Sequence, residues 1–340
     1  MSNIKNDKTC LACKSTKIKA IPYKDYPFYG KDVIDFSKLQ ISYCEDCGFG
    51  YSFPEVNPKV IDIFYSDYYR ANKKSTHYIN FQRLYRPKTS QCTAGIEHLV
   101  LAKQFTHTQL GDNLLDIGPG PGWHFQAARS LLQNPKLYAL EYSAEAAAAY
   151  KRLYNVKTYE SFDRMALDLQ KKRMKFIISS HSLEHLLFDD LKILLNQMLH
   201  IIEDDGVFVI EVPYVDMRIH SKIRGGDAPH FLFFSKESLR SVLIDSGYEV
   251  MFLETCGDYY NLDSDTKVGV YHQKNNISLL KSIYRKLAPL WFRESQFKYD
   301  LINLFHYLKN SSSKIKISQI NVGYGGNRTA LRAVIKKKNY

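Results

Sequence analysis

Four of the six cysteines fall in two short pairs of equal spacing, Cys10-Leu-Ala-Cys13 and Cys44-Glu-Asp-Cys47, with thirty residues between the pairs. Two thiolates three positions apart on a tight turn reach one ion together, and two such knuckles complete the four-sulfur tetrahedron of a closed zinc site. Gly48 follows the second knuckle and can take the backbone twist that points amides at sulfur. Disulfides or a redox pair are the alternatives. The start of the chain, Met1 to Cys10, is polar and lysine-bearing without an apolar signal region, which implies a reducing, cytoplasmic setting and favours zinc. Cys10, Cys13, Cys44 and Cys47 are thus predicted to hold a structural Zn2+ within a ribbon over residues 1–52. Such a site lacks the vacant position that water activation needs. Cys92 and Cys256 stand alone and read as buried small apolar residues.

The second chemical signal is Asn113-Leu-Leu-Asp116-Ile-Gly118-Pro-Gly120-Pro-Gly122-Trp-His-Phe, leading into a helix-compatible stretch from Gln126 to Gln133. An apolar strand ending in an acid, a glycine turn and a helix N-terminus form the ligand-binding edge of an open α/β sheet. The spacing is GxGxG, with Trp123 where a dinucleotide fold places its third glycine, so a nicotinamide site is disfavoured. No Gly-Lys-Ser/Thr follows, which excludes a phosphate-cradling P-loop. One strand-helix unit later, Lys136-Leu-Tyr-Ala-Leu-Glu141-Tyr142-Ser143 ends a second strand in a carboxylate. Glu141 can accept two hydrogen bonds from a ribose diol there, with the flat face of Tyr142 beside a base.

These residues resemble the S-adenosylmethionine site of class I methyltransferases. The resemblance continues through Phe176-Ile-Ile-Ser-Ser180-His181-Ser-Leu-Glu184-His185-Leu, similar to that superfamily's strand-four motif, and through Asp205-Gly206-Val-Phe-Val-Ile-Glu-Val-Pro213, similar to its fifth strand. It implies a Rossmann-like α/β fold with a seven-stranded sheet over 111–265 plus 320–340, the last strand, Thr329 to Lys336, closing it. It also implies that Gly118, Gly120 and Gly122 lie under the methionine part of the cofactor, that Glu141 holds the ribose, that Ser180 and His181 face the sulfonium, and that Asp116 supports the turn. Lys175 stands where the family often has an aspartate.

Methyl transfer from a sulfonium is an in-line displacement, and a base is needed only when the acceptor must lose a proton. The candidates are His181 and His185 after the fourth strand, and His230 in Asp227-Ala-Pro-His230-Phe-Leu-Phe-Phe-Ser235. The cysteine module, the core and this aromatic-serine run together resemble zinc-binding methyltransferases that act on nucleotide-linked sugars. In the C-methylating members a Tyr-His-Glu-His run precedes the same ending, and only its final histidine, His230, is matched here. The resemblance therefore implies O-methylation of a sugar or glycan-type acceptor ahead of C-methylation, with His230 and His181 as catalytic candidates. An RNA methyltransferase and a catalytically silent binding protein of the same fold are the alternatives.

The 340 residues leave room for more than one domain, and 45% apolar with 24% charged residues is ordinary globular usage. The formal charge of +12 is concentrated: from Lys267 to Tyr340 basic residues outnumber acidic ones 15 to 2, and the remainder is balanced. A steering field for nucleic acid would cover the catalytic face as well, so a nucleic-acid partner is disfavoured. Residues 53–110 read as a helical lead-in or cap, aromatic and basic from Tyr65 to Arg86, in which Arg83 or Arg86 could clamp an anionic acceptor. Residues 266–319 read as a basic helical insertion. Within it, 278–293 pairs a lysine- and arginine-bearing apolar stripe with Trp291 and Phe292, which suits a helical lid, a dimer contact or peripheral contact with the inner membrane. No run has the length of a membrane-spanning helix.

Overall fold

Nearly continuous apolar runs, unlike alternating ones, bury both faces of a strand and so favour parallel pairing beneath helices. In the computed structural model, which describes residues 9–23, 39–65, 89–169, 172–219, 229–261, 266–268 and 328–338, the chain pairs its strands in this way. Three short strands open it: β1 (Ile18–Pro22), β2 (Gln40–Cys44) and β3 (Gly50–Phe53). Helices α1 (Pro58–Ile63) and α2 (Thr89–Ala102) lead into the alternating core of β4 (Asn113–Ile117), α3 (Trp123–Leu131), β5 (Lys136–Leu140), α4 (Ala144–Tyr154), β6 (Lys157–Tyr159), α5 (Phe162–Leu169) and β7 (Met174–Ser180). A single turn of 3-10 helix, Leu183–His185, precedes α6 (Phe188–Ile201), β8 (Ile202–Pro213), β9 (Leu232–Phe233), α7 (Lys236–Asp245), β10 (Tyr248–Asn261), β11 (Thr266–Val268) and β12 (Arg328–Lys337).

The large sheet has the order β11-β10-β12-β8-β7-β4-β5-β6. Its pairs from β6 across to β8 are parallel, while β12 inserts antiparallel between β8 and β10. The expected seven strands are present, with the three-residue β11 added at the edge. From β4 the chain moves outward to β5 and later returns to β7 on the other side. This reversal opens a crevice at the carboxyl ends of β4 and β7, where open α/β sheets bind ligands.

Local signals set the helix ends. Ser143 caps α4 through the amide of Ala146, and Asn155 closes it in the left-handed conformation. Ser235 and Ser238 form a reciprocal capping box at α7. The departure at Lys175 has a structural reason: its ammonium is buried and pairs with Asp205 at 2.9 Å and Glu203 at 3.3 Å, joining β7 to β8.

The small sheet runs β1-β2-β3-β9, so its fourth strand comes from the methyltransferase-like core: Gly50 lies opposite Phe233 and Tyr51 opposite Leu232. The packing is equally shared. Phe49, fully buried, stacks edge-on against Phe188 with centroids 5.6 Å apart and lies 5.5 Å from Phe234. Each such aromatic contributes about 1.5–3 kcal/mol by burial, so the cysteine segment is anchored to the core through apolar contact as well as through strand pairing. Helix α2 packs on α3, placing Leu99, Leu101 and Ala102 in one cluster with Leu114 and Phe125. The aromatic-basic stretch with Arg83 and Arg86, and the segment 278–293, lie outside the described residues. Among the described residues no helix is long and apolar enough to cross a membrane.

Candidate active site and cysteine cluster

Gly118, Gly120 and Gly122 all have positive φ, at 66°, 57° and 79°, which is the backbone that the spacing of the turn required. At Gly118 a Cβ would stand 2.4 Å from Ser182 Oγ. That hydroxyl donates to the carbonyl of Ile117 at 3.0 Å and ties the end of β4 to the loop after β7. Gly122 caps α3, and Tyr150, from α4, donates its hydroxyl to the carbonyl of Gly120. The turn is thus held from both sides.

Glu141, at the tip of β5, is buried; one oxygen accepts the Ser143 amide at 3.0 Å and the other faces the Tyr150 hydroxyl at 3.4 Å. A carboxylate offers about four acceptor positions, so capacity for a diol remains. Tyr142 beside it is 45% exposed and meets Phe162 edge to face, a flat surface open at the crevice. Asp116, fully buried, has one oxygen without a hydrogen-bond partner among the described residues. An unsatisfied buried acceptor at the glycine turn, a left-handed turn and a strand-end carboxylate fit the ammonium and ribose ends of S-adenosylmethionine.

The other Asp116 oxygen begins a buried chain that sequence reasoning missed. It lies 2.7 Å from His124 Nδ1, His124 Nε2 lies 2.8 Å from His98 Nδ1, and His98 Nε2 lies 3.0 Å from Glu211. Burial above all lowers the His98 imidazole to about 4, against the opposing pull of Glu211. Glu211 also receives Arg332 from β12 at 2.6 and 2.7 Å and the Cys256 thiol at 3.3 Å. Burial would raise the Glu211 carboxyl, but Arg332 and His98 hold it well below the usual range. Cys256 is buried, as predicted, while the side chain of Cys92 lies outside the described residues.

At the mouth of β7, Ser180 is half-buried and His181 adopts φ +53°, its amide donating to the Glu211 carbonyl at 2.8 Å. Its half-exposed ring sits between two carboxylates, Nδ1 3.5 Å from Glu184 and Nε2 3.4 Å from Glu211. Burial opposes its charging, but these two carboxylates raise His181 to about 10. It is an imidazolium at neutral pH and has no lone pair with which to accept a proton.

His230 comes to the same place from the far side. Its neighbour Phe231 donates its amide to the Glu184 carbonyl at 2.8 Å and accepts from the Ser52 amide of β3 at 2.9 Å, and Tyr23 donates to the His230 carbonyl at 2.7 Å. The ring of His230 lies 5.0 Å from that of His185. The segment carrying His230 is therefore fastened to both the strand-four loop and the small sheet.

The four cysteines form a separate cluster. Cys10 and Cys47 Sγ are 3.6 Å apart, as are those of Cys13 and Cys44, all four lie within 4.8 Å of one another, and none is disulfide-bonded. Thiolates about 2.3 Å from a central ion would stand about 3.8 Å apart, so the cluster is close enough to hold a metal. Gly48, at φ +71°, makes the turn predicted for it and also leaves room for Asp216, whose Oδ1 would lie 2.2 Å from an added Cβ.

Strand order, the crevice at the switch point and the glycine turn with its strand-end acid all describe one kind of site. A family profile described as "Methyltransferase domain" matches residues 54–252. The chain belongs to this methyltransferase family. Solved structures with similarity include a chain of the complex between the Haloferax volcanii Trm112 methyltransferase activator and the putative methyltransferase, 14% identical, covering 72% of this chain and 90% of that one at TM-score 0.41. A SAM dependent methyltransferase from Archaeoglobus fulgidus is 17% identical over 76% of this chain and 98% of its own, at TM-score 0.42. The cyclopropane synthase MmaA2 from Mycobacterium tuberculosis is 15% identical over 78% of this chain and 100% of its own, also at 0.42. No curated protein matches significantly. The methyltransferase is an S-adenosylmethionine-dependent enzyme, and the residues that fit that cofactor are those of the turn, Glu141 and Asp116.

Proposed function

We propose that this methyltransferase transfers a methyl group to a hydroxyl of an anionic sugar or glycan-type acceptor, and that its four cysteines hold a structural zinc ion. The observation that supports the acceptor chemistry is the convergence of Glu184, His185 and His230 beside His181, immediately across the Ser182 tie from the glycine turn. A polar, histidine-bearing acceptor side suits a hydroxylated substrate better than an apolar one.

When bound, S-adenosylmethionine supplies an electrophilic methyl group whose bond to sulfur breaks as the acceptor oxygen bonds to carbon, the electron pair passing to sulfur. Gly118, Gly120 and Gly122 let the backbone approach its methionine part, and Glu141 orients the ribose. His181, as an imidazolium, orients and carries positive charge at the mouth without taking a proton. The hydroxyl proton is received on the opposite side, where the His185–His230 pair stands beside Glu184. The zinc ribbon positions that side: β9, which begins two residues after His230, is the fourth strand of its sheet.

Calorimetry tests this reading. S-adenosylhomocysteine should bind, nucleotide sugars should strengthen that binding, and short RNA should not; zinc should appear at one ion per chain by atomic analysis. Coupling to RNA alone would replace the acceptor class, and a folded, reduced protein without zinc would remove the ribbon.

A further inference from the structure

Glu184 is 1% exposed, and neither of its carboxylate oxygens has a hydrogen-bond partner among the described residues. A buried carboxylate without hydrogen bonds is costly unless a cation meets it. The His181 imidazolium faces only one of its oxygens, Nδ1 standing 3.5 Å from Oε1, and His185 Nε2 lies 3.8 Å from that same oxygen. The second neighbour has its tautomer fixed. His185 Nδ1 lies 2.7 Å from the carbonyl of Pro229, and because a carbonyl only accepts, Nδ1 carries a proton; in the neutral imidazole the lone pair is then on Nε2, the nitrogen that faces Glu184. An imidazole oriented by an Nδ1–H to a backbone carbonyl is the common arrangement of a metal-ligating histidine.

His230 completes the set. One ligand atom from each of Glu184, His185 and His230 lies within 4.8 Å of the others. Ligand atoms about 2.1 Å from one tetrahedral ion stand about 3.4 Å apart, so an inward movement of at most about 1.4 Å between side chains closes the shell. The site differs in kind from the cysteine cluster. It offers two imidazole nitrogens and one carboxylate, borderline to hard donors that suit manganese, iron, cobalt or zinc, whereas four thiolates select soft or borderline ions. Three protein ligands also leave positions open, as at catalytic metal sites.

We propose that Glu184, His185 and His230 bind a second, divalent cation of the first transition row, whose open positions take the oxygen atoms of the acceptor. The inference rests on the reading of this end of the crevice as the acceptor side and deepens it. His185 and His230 then act as ligands and no longer receive the hydroxyl proton themselves: coordination acidifies the acceptor hydroxyl, whose proton leaves to water, as the general effect of a bound cation on oxygen requires. The zinc ribbon gains a second consequence, since the strand pairing that fastens Phe231 to Ser52 also fixes one ligand of the second ion.

The test uses the whole 340-residue chain as purified, with Mn2+ as the probe because a four-thiolate site disfavours it. Electron paramagnetic resonance should show one equivalent of free Mn2+ signal lost per chain. Glu184→Gln and His230→Ala should each weaken that binding by more than about tenfold, the lower bound for disturbing a metal's surroundings. Titration with S-adenosylhomocysteine on the same samples reports whether each variant retains the folded core. Mn2+ that fails to bind, or binds equally in the wild type and in both variants, overturns the cation site while leaving the methyltransferase reading intact if the cofactor product still binds. Loss of S-adenosylhomocysteine binding in the wild type would instead strike the reading of the crevice, and the Mn2+ result would still decide the cation site. If His230 is a simple base, its replacement removes activity without any Mn2+ effect, and that also counts against the proposal.

Discussion

The imidazole rings of His185 and His230 meet edge to face, with centroids 5.0 Å apart and planes at 61°. One belongs to the helical turn after β7 and the other to the loop entering β9, so this contact joins the strand-four motif to the segment that completes the cysteine-bearing sheet. Through it, the mouth of β7 is joined to a module far from it in sequence.

Removing the proposed zinc should therefore reach the active site. Chelation under reducing conditions is expected to release the Cys10–Cys47 and Cys13–Cys44 pairs, and hydrogen exchange should then accelerate at Gly50–Phe53 and at Leu232–Phe233. Exchange that quickens only before residue 50, with β9 unchanged, would mean that the small sheet does not hold the His230 segment.

Gly118→Ala should weaken S-adenosylhomocysteine binding by about tenfold, the equivalent of the 1–2 kcal/mol that a side chain costs in the left-handed region. Pairing it with Ser182→Ala removes the clash at 2.4 Å but not the φ of +66°, so the double variant should recover only part of the loss. Full recovery would show that the contact, and not the backbone, requires glycine.

Glu141→Ala should lower cofactor affinity more than His230→Ala does. A carboxylate hydrogen-bonded to a diol is worth about 1.5–3 kcal/mol, roughly one to two orders of magnitude in Kd, and His230 stands on the opposite side of the site. The reverse ranking in calorimetry would exchange the two roles.

Those two predictions concern parts that could be read locally. The glycine turn, Glu141 and the cysteine knuckles announce themselves because spacing along a few residues already determines what they can hold. The chain from Asp116 through His124 and His98 to Glu211 and Arg332 does not, because its members lie on β4, α3, α2, β8 and β12 and meet only through the sheet order. His98 sits in an apolar helix where a histidine ordinarily reads as a satisfied structural residue. Strand β9 was equally hidden: two residues carry no periodicity, and Leu232 and Phe233 look like core until Gly50 and Tyr51 are placed beside them. Glu184 was visible within the strand-four motif, but its lack of hydrogen-bond partners among the described residues is a property of three dimensions alone.

The same buried chain sets a pH dependence. His98 is lowered to about 4 in the folded protein, against 6.5 for the ordinary imidazole. Between these values the unfolded chain binds a proton that the folded one refuses, so stability rises with pH across the window. The contribution is complete above about pH 6.5 and is lost as pH falls toward 4, amounting to about 3 kcal/mol. Urea unfolding at pH 7, 5.5 and 4 should show this decline, and His98→Gln should flatten it. An unchanged slope in the variant would place the titrating group elsewhere.

Methyl transfer to a hydroxylated sugar-type acceptor is tested most directly by product analysis. Incubation with methyl-labelled S-adenosylmethionine and a panel of nucleotide sugars, followed by mass spectrometry and assignment of the methylated atom by NMR, should give a methyl ether on a sugar oxygen, with S-adenosylhomocysteine formed in equal amount. Label appearing on carbon or nitrogen, or in RNA alone when RNA is supplied, would contradict it.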